Sequence, residues 1–258
     1  MSDKPIKIGY SSEEIDEILK QLKKAEDKGL IEQRFENNNY LLISYKGIEE
    51  NGISPKWNIK IYKLNKRGIH RVVCVDDYVL AQILNSNYDY FTPPDLKLLM
   101  IDDAGWGFPL GGVMVGVTDN QTIKTDIVPI SYFQGVIFEQ RDYLYHYAQL
   151  GLNLVHEYHA TPKTHRIEIC SGYINSHLRE QLREMNYHIR VVEIKGLLQD
   201  KLEEYFKKYI KELTGSNIYY DPKELKKEDI PFKYNEALEY GIKHCPEIIK
   251  TGWKAISL

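Results

Sequence analysis

Cysteine is scarce in this chain: Cys74, Cys170 and Cys245 are the only three in 258 residues. Their number is odd and their spacings are wide. A disulfide framework is therefore not expected, and a reducing, cytoplasmic location is the default. Long apolar runs are also missing. No stretch approaches the roughly 18 consecutive apolar residues of a membrane span. The opening MSDKPIKIGYSSEE lacks the apolar centre of a signal peptide. Neither sign of charge dominates: 34 basic side chains face 37 acidic ones, a net charge of -3. That excludes the global basic field of many nucleic-acid binders. No internal repeat and no low-complexity run occurs. G-x-S-x-G, Walker A and C-x-x-C patterns are absent as well, which removes the simplest hydrolase, nucleotide-loop and redox readings.

What is present is ordinary globular usage. Hydrophobic residues make up 43% and charged residues 28%, which excludes a disordered tail, a collagen-like chain and a long coiled coil. The length allows one large domain or a domain with a smaller partner. It is ample to bury a core without covalent or metal staples.

Ser11 or Ser12 caps a first helix, with Glu13 and Glu14 suiting its positive first turn. Ile15, Ile18, Leu19 and Leu22 recur at helical spacing to about Lys28, and Gly29 ends the pattern. Three strand-like runs follow at Tyr40–Tyr45, Trp57–Leu64 and Ile69–Val75, then a short helix from Tyr78 to Leu84. This α-β-β-β-α order predicts a small α+β module over residues 1–92.

Within that module, Lys56–Arg71 holds six Lys/Arg and no acid. Lys56, Lys60, Lys63, Lys66, Arg67 and Arg71 alternate with Trp57 and Tyr62. A basic, aromatic strand pair is suited to a phosphate backbone and stacked bases. A solvated outer sheet face explains the same residues equally well.

The polar stretch NSNYDYFTPPD reads as a linker. After it come apolar strands at Leu96–Ile101, Gly111–Val117 and Ile123–Ile130, and a helix from Tyr143 to Tyr158. A fourth strand spans Arg166–Cys170, and Leu178, Leu182 and Met185 mark a helix. A fifth strand spans Ile189–Ile194. The last long helix carries Leu198, Leu202, Tyr205, Phe206, Tyr209 and Leu213 as an apolar stripe. The order β-β-β-α-β-α-β-α is predicted for residues 93–215. Residues 216–258 form an extension with a helix near Tyr234–Lys243, and Trp253 and Ile256 suggest that it packs back on the body.

The segment LLMIDDAGWGFPLGGVMVGV, Leu98–Val117, resembles the opening motif of type 2 ribonucleases H: an acid pair, a spacer, G-x-G, then glycine and an apolar second strand. The element order is similar to that of the ribonuclease H-like superfamily. The fold implied is α/β, a ribonuclease H-like mixed sheet flanked by helices and preceded by the small α+β module. Asp102 falls on the strand-one Asp of the family and Asp103 on the adjacent acid. Gly105, Gly107 and Gly111 fall on its glycines. Trp106 stands where the family has Arg, and Gly112 where it has Pro.

The resemblance implies further acids. Glu168 is the strand-four candidate, and Asp200 is the last-helix candidate, with Glu203 and Glu204 as alternates. It also implies two Mg2+ or Mn2+ ions held by Asp102, Glu168 and Asp200, with Asp103 as helper. Paired ions of this kind activate water and stabilise the leaving oxygen in phosphodiester hydrolysis. Hard ions require several converging carboxylates. By helical geometry, however, Asp200 falls opposite the apolar stripe.

The function expected is a metal-dependent nuclease, with Gly105, Trp106 and Gly107 joining the basic strands in contact with nucleic acid. The alternative is a non-catalytic nucleic-acid-binding or scaffold protein on the same fold, and a homodimer stays open in either case. His156, His159 and His165 are poorer metal candidates. The G-x-G precedes a strand rather than a helix, which disfavours a dinucleotide site.

Overall fold

The computed structural model describes residues 7–48, 57–74, 77–86 and 95–252. The chain divides into two compact units: Met1–Leu96 with Arg190–Glu193, and Lys97–Ile189 with Ile194–Leu258. The division falls four residues beyond the boundary expected at 92, and the C-terminal extension belongs with the second unit. Among the described residues, no helix is long and apolar enough to cross a membrane.

The first unit is an antiparallel sheet with two helices. Its elements are β1 (Lys7–Tyr10), α1 (Ser12–Asp27), β2 (Ile31–Gln33), β3 (Leu41–Gly47), β4 (Asn58–Tyr62), β5 (His70–Cys74) and α2 (Asp77–Leu84). The sheet order is β1-β5-β4-β3-β2. Ser11 opens α1 with a capping box: its hydroxyl accepts from the Glu14 backbone N–H, and the Glu14 carboxylate accepts from the Ser11 N–H. Ile15, Ile18 and Leu22 of α1 bury against Ile59 and Ile61 of β4, Val72 and Cys74 of β5, and Val79 and Ile83 of α2. The sequence pattern revealed the three inner strands. The edges β1 and β2 are too short, at four and three residues, to show alternation.

From Lys97 onward the elements are β6 (Lys97–Ala104), β7 (Val113–Thr118), β8 (Ile123–Val128), α3 (Gly135–Gln140), α4 (Asp142–Glu157), β9 (His165–Cys170), α5 (Ser176–Glu184), β10 (His188–Val192), α6 (Leu197–Thr214) and α7 (Ile230–His244), all within the second unit except Arg190–Val192 of β10. The sheet order is β10-β9-β6-β7-β8, with β6–β7 and β7–β8 antiparallel and β6–β9 parallel. Apart from the short α3, the elements from β6 to α6 follow the order expected from the sequence. The fold is mixed α/β, two sheets flanked by helices, consistent with a ribonuclease H-like architecture.

Every residue of β7 is buried, as in a strand covered on both faces. Helix α6 turns Leu198, Leu202, Phe206 and Ile210 inward. Ile248, Ile249 and Lys250 are buried, Leu110 bridges Ile249, and the Lys250 N–H donates to the Pro109 carbonyl at 2.9 Å. Trp253 and Ile256, which suggested this packing, lie outside the described residues.

Candidate functional site

The site begins with the parallel pairing of β6 and β9. Ile101 stands opposite Ile169 in that register, so Asp102 and Cys170 come next, at the carboxyl-terminal end of the β6–β9 pairing. Open α/β sheets bind ligands at such ends. Asp102, Asp103 and Cys170 offer one ligating atom each, and these atoms lie within 4.8 Å of one another.

Hydrogen bonds fix the two carboxylates. The Asp103 backbone N–H donates to Asp102 Oδ1 at 2.9 Å. The Asn175 side-chain amide donates to Asp103 Oδ1 at 3.0 Å. Asn175 is itself fully buried, and its Oδ1 accepts from the Tyr147 hydroxyl at 3.0 Å. Burial drives the Tyr147 phenol far above its ordinary pKa, and Asp103 and Asp102 add to the effect. Tyr147 is therefore held as a donor, and the relay Tyr147 to Asn175 to Asp103 has one direction.

The Cys170 thiol is also raised, first by burial and then by the two aspartates. Arg179 anchors the turn after β9 by donating to the carbonyls of Cys170 and Gly172, at 2.9 and 3.1 Å. A Cβ at Gly172 would sit 3.1 Å from Asp103 Oδ1, so that turn lies directly against the acid pair.

A second turn follows β6. The Phe108 N–H donates to the Gly105 carbonyl at 3.2 Å, which places Trp106 and Gly107 at its two central positions. Gly105 has φ +84°, and a Cβ there would collide with the Phe206 ring of α6. Glycine is required on both counts. The ammonium of Lys250, wholly buried, donates to the same Gly105 carbonyl and lies 5.3 Å from the Phe133 ring centroid. Burial lowers the Lys250 pKa to about 7, with Asp103 opposing the fall.

The other expected acids are placed elsewhere. Glu168 lies opposite Met100, two residues back from the strand end. At about 3.3 Å per residue it is a full pleat deeper than Cys170 on the same face. It is almost wholly buried and ion-paired with Arg166 at 3.1 Å. Cys170, rather than Glu168, is the β9 residue beside the acid pair. Asp200 is exposed in the first turn of α6, where its charge suits the helix N-terminus, and it is not in the cluster. The alternates are engaged as well: Glu203 accepts from Tyr219, and Glu204 pairs with Lys201 at 2.7 Å.

Among the described residues the cluster supplies two carboxylates and a thiol, where the two-ion arrangement asked for carboxylates from three elements. One divalent ion, held by Asp102 and Asp103 with water completing its shell, does fit the chemistry of these donors. The histidines form no such group: His156 and His159 are exposed, and His165 bonds Thr164 at 2.8 Å.

The basic strands of the first unit divide in two. Trp57 belongs to the core and offers no ring for stacking, a correction to the sequence reading. Lys60 is tied to Glu36 at 2.6 Å and holds that carboxyl below its usual range. Tyr62 is half-buried, and its carbonyl meets His70 Nδ1 at 2.9 Å. Lys63, Lys66, Arg67 and Arg71 are exposed. Lys56 lies outside the described residues. Phe35 and Tyr40, missed by sequence reasoning, are 90% and 78% exposed. Tyr40 is brought beside Lys63 by a backbone hydrogen bond of 2.9 Å.

Sequence reasoning also missed Cys170, Asn175, Tyr147 and Lys250. A signal existed for Cys170. The Ser-Gly that follows it marks the end of a strand, and the end of a strand parallel to β6 is where Asp102 needs its neighbour.

No family model matches the chain, and no curated protein matches it. Among solved structures the chain is similar to one titled "Crystal structure of Aquifex aeolicus RNase H3". The identity is 13%, the match covers 95% of this chain and 98% of that chain, and the TM-score is 0.37. At that TM-score the likeness carries no weight, and the fold rests on the strand order itself.

Proposed function

We propose that this protein is a nuclease that hydrolyses phosphodiester bonds with one divalent cation held by Asp102 and Asp103. The observation that carries this reading is the convergence of both carboxylates with Cys170 where the parallel pairing of β6 and β9 runs out. When bound, the cation would lower the pKa of a water molecule and draw charge from a phosphoryl oxygen. The chain supplies the rest. Asn175, oriented by Tyr147, donates to Asp103 and fixes that carboxylate beside Asp102. The Gly105–Phe108 turn lets a backbone approach closely, and the exposed Lys63, Lys66, Arg67 and Arg71 are suited to phosphates.

The non-catalytic reading is favoured by one specific observation. The third acid of the site is replaced by a thiol whose burial keeps it protonated, and the best other carboxylate, Glu168, is paired with Arg166. A nuclease-dead relative of such a fold would look this way at β9.

The two readings separate in one assay. Labelled single strands, duplexes and RNA–DNA hybrids are incubated with Mg2+ or Mn2+, using Asp102→Asn as control. Cleavage that disappears in the variant supports the nuclease. A folded wild-type protein that cleaves none of these substrates supports the binding protein.

A further inference from the structure

The described residues of the first unit expose five large apolar side chains: Phe35, Tyr40, Leu42, Leu64 and Ile69. Apolar residues scattered singly over a surface need no explanation, but these five are gathered. Phe35 and Tyr40 belong to the loop between β2 and β3, and Leu42 lies in the irregularity at the start of β3. Leu64 and Ile69 belong to the turn between β4 and β5. Leu41 pairs with Tyr62, and the Lys63 N–H donates to the Tyr40 carbonyl at 2.9 Å, so loop and turn lie side by side at one end of the sheet.

Both segments are held by bonds that leave the rings outside. The Arg34 N–H donates to the Ser44 carbonyl at 2.8 Å, and the Asn38 N–H to the Glu36 carbonyl at 2.9 Å. The Glu36 carboxylate accepts from the Ser44 hydroxyl at 3.2 Å and from Lys60 at 2.6 Å. Lys63 Nζ donates to the Asn39 carbonyl at 2.9 Å. In the turn, Asn65 Oδ1 accepts from the Arg67 and Ile69 N–H groups at 2.8 and 3.2 Å. Phe35 and Tyr40 nevertheless stand 90% and 78% exposed, so their rings meet water and are open to a flat partner.

The charge around the rings is of one sign. Lys63, Lys66 and Arg67 are exposed, no acid occurs from 56 to 71, and Glu36 of the loop is already tied to Lys60. Rings interleaved with cations suit a single-stranded nucleic acid or an anionic membrane. The residues between the rings favour the first. Asn37, Asn38 and Asn39 are exposed amides. An amide pushed into lipid gives up its hydrogen bonds to water and finds none, whereas base edges supply donors and acceptors. A duplex offers phosphates, but its base faces are already stacked.

We propose that this end of the first sheet binds a single strand. Phe35 and Tyr40 stack on unpaired bases, and Lys63, Lys66 and Arg67 hold the phosphates beside them. Stacking of this kind tolerates any base. The proposal rests on the nucleic-acid reading given above for its phosphate contacts, yet it needs no cleavage to hold.

The test is anisotropy titration of labelled single-stranded DNA and RNA, and of duplexes of equal length, with the full chain and no added metal. Wild type is compared with Phe35→Ala, Tyr40→Ala, Tyr40→Phe and Asp102→Asn. Each alanine variant should weaken single-strand binding by about tenfold or more. Both side chains are exposed, so the thermal midpoint should not move. Tyr40→Phe should keep most of the affinity, and duplex binding should be the same for all. An abasic strand should bind wild type and Phe35→Ala equally weakly. Equal loss for single strand and duplex would overturn the proposal, as would no loss, or a wild type that binds no single strand. Vesicles of anionic phospholipid that retain wild type but not Phe35→Ala, with single-strand binding indifferent to that change, would overturn it in favour of a membrane surface. If cleavage survives in Asp102→Asn while binding depends on Phe35 and Tyr40, the nuclease reading fails and this site stands. If cleavage requires Asp102 while binding ignores both rings, the reverse is true.

Discussion

The two sheets of this protein place their candidate residues in opposite ways. In the first unit every strand pairing described is antiparallel, and the basic residues come from adjacent strands of one short sequence stretch. Alternation sends Ile59 and Ile61 inward and Lys60 and Tyr62 to the other face. The result is a surface with exposed charges and few fixed contacts. In the second unit, parallel β6 and β9 bring Asp102 and Cys170 together across 68 residues of sequence. Buried Asn175, Tyr147 and Lys250 then fix the geometry around the acids. Antiparallel pairing gathers what is already near in sequence and leaves it wet. Parallel pairing gathers distant residues at a strand end and lets burial set their orientation.

Four measurements bear on that contrast. The largest effect is expected at the strand end. Asp102→Asn should reduce cleavage by more than about a hundredfold, the upper range for loss of an outer partner of a metal site. The thermal midpoint should stay near that of wild type. Asn175→Ala comes next. It removes the donor to Asp103 without touching the ligands, and a loss of about 10- to 100-fold in metal affinity is expected by calorimetric titration with Mn2+. An unchanged affinity would mean that the buried relay does not orient the acid.

Lys250 gives a stability test. Burial lowers its folded pKa to about 7, from the 10.5 of a solvent-exposed lysine. Between those values the unfolded chain holds a proton that the folded chain has lost, so this residue makes stability rise with pH from about 7 to about 10.5. Below about 7 the ammonium is charged in both states and the gain is absent. Lys250→Met removes the titration. The difference in unfolding free energy between wild type and variant should therefore shift in favour of wild type across that window. The total change is on the order of a few kcal/mol. A difference that is flat with pH would show that the buried amine does not titrate there.

The smallest effect is expected on the first unit. Changing Lys63, Lys66 and Arg67 together to Ala should weaken nucleic-acid binding without altering cleavage chemistry. The slope of log affinity against log salt should fall by roughly 0.7–0.9 for each phosphate contact removed. A slope that does not change would make this surface a solvated face.

Legibility in the sequence follows the same division. Helix α1 was readable from Ser11, Glu14 and the Ile15–Ile18–Leu22 spacing, because a capping box and an amphipathic stripe are local. Strands β6, β7 and β9 were readable as apolar runs, and the acid pair with its glycines marked the turn after β6. Helix α3 was not. Its six residues bury none of their side chains, so they leave no periodic signal. Glu168 stood out in the sequence as an acid within an apolar strand. The choice between it and Cys170 depended on register, which no single strand encodes.

The sequence by itself determined the order of the longer elements, the capping of α1 and the place of the acid pair. These depend on neighbours a few residues apart. Tertiary structure decided that Cys170 meets the aspartates, that Asn175 and Tyr147 orient them, that Trp57 is core and that Lys250 reaches Gly105 from 145 residues away. Strand pairing and burial couple positions that the chain keeps far apart, and only the folded packing fixes which of them touch.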